Sequence, residues 1–210
     1  GALTGPYRQG FFAPLRRTPM QVWHEQHNAV MAETGMWRRP KYYRGAQGEP
    51  AAAAIEREAL AVRGAVGLVD VSTLGKIEVA GPDAEEFLHR IYCTPIRRIR
   101  PGRASYAVML REDGIVLDDG VIARLAANRF YLTTTTAHAA KVLAHLEYHA
   151  QVEWPHLRVA VTSVTDAYGA MAVAGPQSLR LLERLGTDIA LSDDNFTYGS
   201  VREGLIKGAM

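Results

Sequence analysis

Two adjacent carboxylates, Asp118 and Asp119, interrupt an otherwise apolar stretch of this 210-residue chain, GIVLDDGVIAR. Neighbouring residues of a β-strand point to opposite faces, so a flat strand with one buried face must turn one of the two acids inward. A buried carboxylate then needs a donor, a ligand or a shifted pKa, because an unpaired charge out of water is costly. The competing reading is that Asp-Asp-Gly is simply a turn or a bulge, which these residue types favour, and pattern alone leans that way.

Other residues with chemical potential are scattered. His24 and His27 lie three apart on an expected helix, and His138, His145 and His149 lie on another, with an i, i+4 pair among them. No Cys or Glu joins either set in a recognised zinc pattern, so no metal is expected. A single cysteine, Cys93, excludes an internal disulfide and a cysteine zinc cluster. It is read as a buried structural thiol in HRIYC. The basic run PIRRIRPGR, with Arg97, Arg98, Arg100 and Arg103, reads as a solvated loop, the alternative being a site for a polyanionic ligand tail.

The acid pair must be positioned by strands. Residues 105–110 and 115–123 are rich in branched and aromatic side chains, and Arg111-Glu112-Asp113-Gly114 supplies turn chemistry between them. A third strand over residues 130–136 extends this hairpin into an antiparallel meander. Upstream, residues 1–17 read as an irregular arm. Thr18-Pro19-Met20-Gln21 predicts a helix start, with the helix running to about Glu33 and ending at Gly35. Residues 37–43 are expected to be extended, and residues 50–64 helical. Strands follow at 65–71 and 76–79, then a helix from Asp83 to about Tyr92, another over 137–150 and a strand over 159–164. The last ten residues hold only the start of a strand, 201–204, without a visible partner.

One unit recurs. GKIEVAGPDAEEFLHRI, over residues 75–91, aligns without a gap on GAMAVAGPQSLRLLERL, over residues 169–185, at an offset of 94 residues. The expected class is therefore α+β, with two related halves of antiparallel strands covered by helices. The division reads as residues 1–49, an irregular arm with one helix, and residues 50–210, the domain that holds the duplication.

Twenty-four basic against 22 acidic residues leave a formal charge of +2, too little to make nucleic acid or an anionic membrane the main partner. No apolar run approaches a membrane span and no signal-peptide pattern opens the chain, so a soluble, cytoplasmic protein is expected.

AVRGAVGLVDVSTLGKIEVAGPDAEEFLHRIY and GRASYAVMLREDGIVLDDGVIARL resemble the folate-binding aminomethyltransferase family, the T-protein of the glycine cleavage system and its relatives. TPMQVWHEQHNAV, WRRPKYY, DVSTLGKIEV and the tract of threonines ending at Thr136 narrow the likeness to the carboxy-terminal portion of the α subunit of heterotetrameric sarcosine oxidase. The resemblance implies a central cavity for tetrahydrofolate and one-carbon transfer that yields 5,10-methylenetetrahydrofolate. It assigns the essential carboxylate to Asp119 and a cavity-lining ring to Tyr106. It also gives an apolar contact to Leu74, a pterin hydrogen bond to Thr135, and a supporting or surface position beside folate to Asp118. NAD and flavins are expected only on other parts of the full enzyme, and the implied partners are the other subunits, among them the flavin-bearing β subunit.

The resemblance also marks departures. The family's later Gly-Glu segment and the arginine beyond it have no counterpart before Met210, and no G-x-G-x-x-G fingerprint occurs. The chain is therefore expected to be truncated at its C-terminus and not to oxidise sarcosine by itself. Free-standing aminomethyl transfer, and a folate-binding or interaction scaffold without transfer chemistry, stay open as alternative functions.

Overall fold

The computed structural model describes residues 15–207 apart from 46 and 193. Residues 1–14, which make up most of the expected arm, lie outside that range. Strand β1 (Arg16–Arg17) leads to helix α1 (Gln21–Gln26), then to β2 (Ala29–Thr34) and β3 (Trp37–Tyr43), and the three strands form a small sheet in the order β1-β3-β2.

The expected helix to Glu33 is thus a single short helix followed by a strand. The helix stops at His27, Asn28 takes φ 60° and turns the chain back, and residues 29–34 pair antiparallel with β3. Asparagine tolerates that left-handed conformation, and pairing with β3 overrides a weak helical preference in AVMAET. Thr18 does not cap the helix with its side chain; Met20 occupies the N-cap position.

Helix α2 (Ala51–Gly64) lies against β3, tied by Glu58, which accepts the Tyr43 amide N–H at 2.6 Å. Strand β4 (Gly67–Asp70) precedes β5 (Gly75–Ala80), and α3 (Ala84–Ile91) follows. The meander is then β6 (Arg103–Leu110), β7 (Val116–Ala126) and β8 (Arg129–Thr134), after which come α4 (Ala139–Tyr148), a π-helical turn at His149–Glu153 and β9 (Ala160–Ser163). Five of these strands form one antiparallel sheet in the order β6-β7-β8-β5-β9.

One face of this sheet carries the core. Ile77, Val79, Met109, Ile122, Phe130 and Leu132 point to it, and Ala84, Phe87, Leu88 and Ile91 of α3 with Val142 and Leu146 of α4 close over it. The i, i+3, i+4, i+7 spacing in α3 is what lets a short helix bury four side chains. Each large side chain so buried contributes roughly 1.5–3 kcal/mol. Over β6 and β7 the opposite face is open among the described residues, and Tyr106 (60% exposed) and Val121 (40%) stand on it.

Strand β10 (Met171–Ala174) pairs antiparallel with β4 in a separate two-stranded sheet, and α5 (Ser178–Leu185) follows it. The repeated sequence thus repeats its local geometry. Asp83 and Gln177, each just before its helix, share φ −104° and ψ 13°. Gly81 and Gly175 take φ 139° and 117°, where a Cβ would lie 2.2 Å from the Arg158 carbonyl oxygen and 2.5 Å from that of Val62. Only glycine fits such a close backbone approach. The two copies nonetheless enter different sheets.

Residues 201–204, expected to begin a strand, form none, and the pairing in this region involves Val201 and the two residues before it. The Ala104 amide N–H donates to the Gly199 carbonyl at 2.7 Å and that of Val201 to Gly102 at 2.9 Å, so residues 199–201 run beside the start of β6. Arg103 fastens them through Thr197, the Tyr198 carbonyl and Ser200. Arg97 pairs with Glu86, so two members of the basic run are engaged within the protein. No helix among the described residues is long and apolar enough to cross a membrane.

Candidate functional site

The acid pair lies inside β7, and a bulge sits immediately before it. Met109 pairs with Asp118 but Leu110 pairs with Val116, so Leu117 is the extra residue. Both sequence readings therefore meet here: the ladder is irregular, and one acid is turned inward. The inward acid is Asp118, which is 5% exposed, whereas Asp119 is half-buried on the open face. Asp118 is thus no surface residue.

Asp118 is fully engaged by the protein. Its Oδ1 accepts the Thr135 hydroxyl at 2.7 Å and lies 3.3 Å from His138 Nδ1, and its Oδ2 accepts the Thr135 amide N–H at 3.1 Å. These donors tie the strand carrying the acid pair to the junction between β8 and α4. The Thr135 hydroxyl proton is committed to that junction.

Among the described residues Asp119 has one protein donor, the Tyr106 hydroxyl, which reaches its Oδ2 at 2.5 Å. Tyr106 pairs with Val121 and Asp119 with Val108, so the two are diagonal neighbours on one sheet face, within reach of a long ring. The carboxylate's hydrogen bond, with a lesser contribution from burial, holds the Tyr106 phenol above its ordinary pKa. Gly120 of β7 has no room for a side chain against β8: a Cβ there would stand 1.9 Å from the Thr133 carbonyl oxygen.

The remaining expected contact, Leu74, is the residue before β5. Gly75 pairs with Thr134 and Thr135 binds Asp118, so residues 74–75, 134–135 and Asp118 meet at one corner of the sheet. Along the same open face a groove of about 380 Å³ is lined by Val121, Ala123, Tyr131, Thr133, Tyr168 and Glu203 among others. A larger hollow of about 600 Å³ lies between α5 and residues 186–192, and none of Asp119, Tyr106, Leu74 or Thr135 lines either the hollow or the groove.

The histidines do not converge as their spacing allowed. His27 stacks on Trp23 with ring centroids 3.9 Å apart, while His24, 2% exposed, bonds to Asp70 at 2.8 Å and to the Tyr43 hydroxyl at 2.7 Å. Burial alone would raise the Asp70 carboxyl, but the hydrogen bonds from His24 and Ser72 outweigh it and hold the group below the usual range. His138 goes to Asp118, and His145 and His149 meet edge to face at 4.5 Å. Cys93, expected to be buried, is exposed, its thiol donating to the Val108 carbonyl at 3.2 Å. It follows the buried face of α3 and lies where the chain leaves the core.

Sequence reasoning missed two buried polar groups. The chain Tyr43–His24–Asp70 links the first sheet to β4, and nothing in the spacing of three distant residues announces it. Lys76 is 0% exposed, although the alternation in GKIEVA would give Lys76 and Glu78 to a solvent face.

The sequence signature of the GCVT N-terminal domain matches residues 20–210, and the chain belongs to that family. It is 45% identical to sarcosine oxidase subunit alpha of Rhizobium meliloti (strain 1021) over 100% of the chain, and covers 21% of that subunit. To sarcosine oxidase subunit alpha of Corynebacterium sp. (strain U-96) it is 44% identical over 94% of the chain and 20% of the subunit. An aminomethyltransferase of Parafrankia sp. (strain EAN1pec) is 36% identical over 82% of the chain and 44% of its own length. Among solved structures, glycine cleavage system aminomethyltransferase T from Bartonella henselae superposes with a TM-score of 0.75 at 27% identity, over 89% of this chain and 46% of that one. The chain thus spans about a fifth of the length of the two sarcosine oxidase subunits.

Proposed function

We propose that this chain carries the folate-binding face of a tetrahydrofolate-dependent one-carbon transfer domain of a sarcosine oxidase, where the iminium or formaldehyde released by amine oxidation is captured as 5,10-methylenetetrahydrofolate. The observation that carries the reading is the Tyr106–Asp119 hydrogen bond on the open face over β6 and β7. The residues present suit a reduced folate: Tyr106 and Tyr131 offer aromatic surface, Val121 and Ala123 a flat apolar floor, and Asp119 a carboxylate with one protein donor among the described residues.

Tetrahydrofolate, when bound, supplies the two nitrogens, N5 and N10, that the one-carbon unit bridges. Asp119 is assigned the role of stabilising positive charge as that bridge forms, which a carboxylate fixed before the reaction does without reorganisation. Tyr106 keeps the carboxylate aimed at the open face. Asp118, with both oxygens engaged, supports the strand instead of touching folate, and Leu74 gives apolar contact at the corner. Thr135 retains acceptor capacity alone for a pterin, since its proton goes to Asp118.

NAD and flavin sites belong, in this reading, to other parts of the full enzyme, flavin on a partner β subunit, and the assembly works in the cytoplasm. The test is Asp119→Asn in the complete assembly. Amine oxidation continues while the yield of 5,10-methylenetetrahydrofolate falls by about 100-fold, the loss typical when a preformed charge stabiliser is removed. An unchanged yield overturns the proposal. Aminomethyl transfer from a carrier protein is the second reading, favoured by the 36% identity to an aminomethyltransferase; turnover with an aminomethylated carrier in place of sarcosine separates the two.

A further inference from the structure

Lys76 is among the largest side chains that the fold hides completely. It stands on β5 opposite Thr133, and its Nζ donates to three main-chain carbonyls, those of Ser72 at 2.7 Å, Leu74 at 3.1 Å and Thr165 at 3.3 Å. An ammonium has three protons, so all of them are matched, and no carboxylate is in contact.

The main chain of the same residue is held as firmly. Its amide N–H donates to Thr165 Oγ1 at 3.0 Å and its carbonyl accepts the Val164 amide at 2.8 Å. One residue thus joins the turn of residues 72–74 to residues 164–165, which leave β9. Burial lowers the Lys76 pKa against the pull of Asp166 and Asp70. A charge hidden without a counter-ion opposes folding, and a methionine would fill the same volume without that penalty but would strand three carbonyl acceptors. What the ammonium secures is the shape of the turn, whose last residue, Leu74, precedes the Gly75–Thr134 pair beside Thr135, the residue that binds Asp118.

We infer that Lys76 is a positioning residue for the folate site: it gathers the carbonyls of residues 72 and 74 and so fixes Leu74 against the place where the pterin is held. The inference rests on the function proposed above and names no contact between Lys76 and folate.

The test uses the intact gene product with its subunits and 5-formyltetrahydrofolate as the probe. Its dissociation constant is measured by calorimetry, well below the thermal midpoint, for wild type, Lys76→Met and Leu74→Ala. Lys76→Met should weaken binding by about tenfold or more, as expected when a contact residue shifts by a fraction of an ångström. Leu74→Ala, which leaves the carbonyl cage intact, should weaken binding in the same direction. A lowered midpoint with unchanged affinity in Lys76→Met makes the lysine structural only and overturns the inference. Should Lys76→Met not fold, Leu74→Ala decides alone, and unchanged affinity there overturns it equally. Wild-type protein that does not bind the probe refutes the folate reading itself, which is a different failure.

Discussion

The Tyr106 hydroxyl donates to Asp119 Oδ2 at 2.5 Å across the β6–β7 ladder, although neither residue is the other's strand partner. A diagonal bond of this kind fixes the direction of the carboxylate more tightly than strand pairing does, and among the described residues it leaves one oxygen without a protein donor. Removing the donor frees the carboxylate to rotate. Tyr106→Phe should therefore weaken binding of a reduced folate by up to about tenfold, the net worth of one charge-assisted hydrogen bond, with the fold retained. Calorimetric titration of the intact protein checks this.

The same bond is visible by titration. The Tyr106 pKa is raised above its ordinary 10.0, chiefly by the hydrogen bond to Asp119. The protonated phenol is favoured in the folded state, so its contribution is complete below pH 10 and is lost as pH rises through the higher folded value. The ultraviolet difference between wild type and Tyr106→Phe should accordingly show a phenol that ionises later than a free tyrosine. Ionisation at the ordinary value would mean that the bond is not held in solution.

Asp118→Ala leaves the Thr135 amide and hydroxyl without their acceptor at the start of the loop into α4. Urea denaturation should show a loss of about 1–3 kcal/mol, the usual cost of stranding a buried donor. Asp118→Asn, which keeps an acceptor oxygen, should lose less.

Acid should act through Asp70. Its carboxyl is held below the ordinary 3.8 by His24 and Ser72. The stability it contributes is therefore present above about pH 4 and is lost as pH falls through the lower folded value. Asp70→Asn removes this slope and replaces the carboxylate's hydrogen bond to the buried His24 by a neutral one, at a cost of about 1–3 kcal/mol at neutral pH. The difference between the two proteins in thermal midpoint, measured from neutral pH down to pH 3, should shrink at the acid end.

How far the sequence could be read depends on what each residue must satisfy. The meander, α2, α3 and the repeat were legible because period and turn chemistry agree there with the tertiary structure, Gly81-Pro82 and Gly175-Pro176 included. The segment after His27 was not, because AVMAET has no strong local preference and is decided by pairing with β3. The acid pair was legible as a pair, but the bulge at Leu117 and the engagement of Asp118 by Thr135 depend on β8 and α4, which lie elsewhere in the chain. Lys76 was hidden by the opposite effect, since strand alternation assigns it to solvent and only the loops at 72–74 and 165 bury it.

Cys93 shows the same limit on a single residue. A cysteine in HRIYC after an amphipathic helix reads as core, yet it sits one residue beyond the last buried position, Tyr92, and is exposed. It should react with a thiol reagent in the native protein at stoichiometry one, without denaturant. Protection until unfolding would contradict the exposure.

The central claim is that a reduced folate rests on the open sheet face against Asp119. A crystal structure of the intact gene product with 5-formyltetrahydrofolate tests it most directly. The account predicts the pterin over the face that carries Tyr106 and Val121, with the Asp119 carboxylate at contact distance from the folate's N10 side. Folate bound elsewhere, with the Tyr106–Asp119 pair facing solvent, would contradict it.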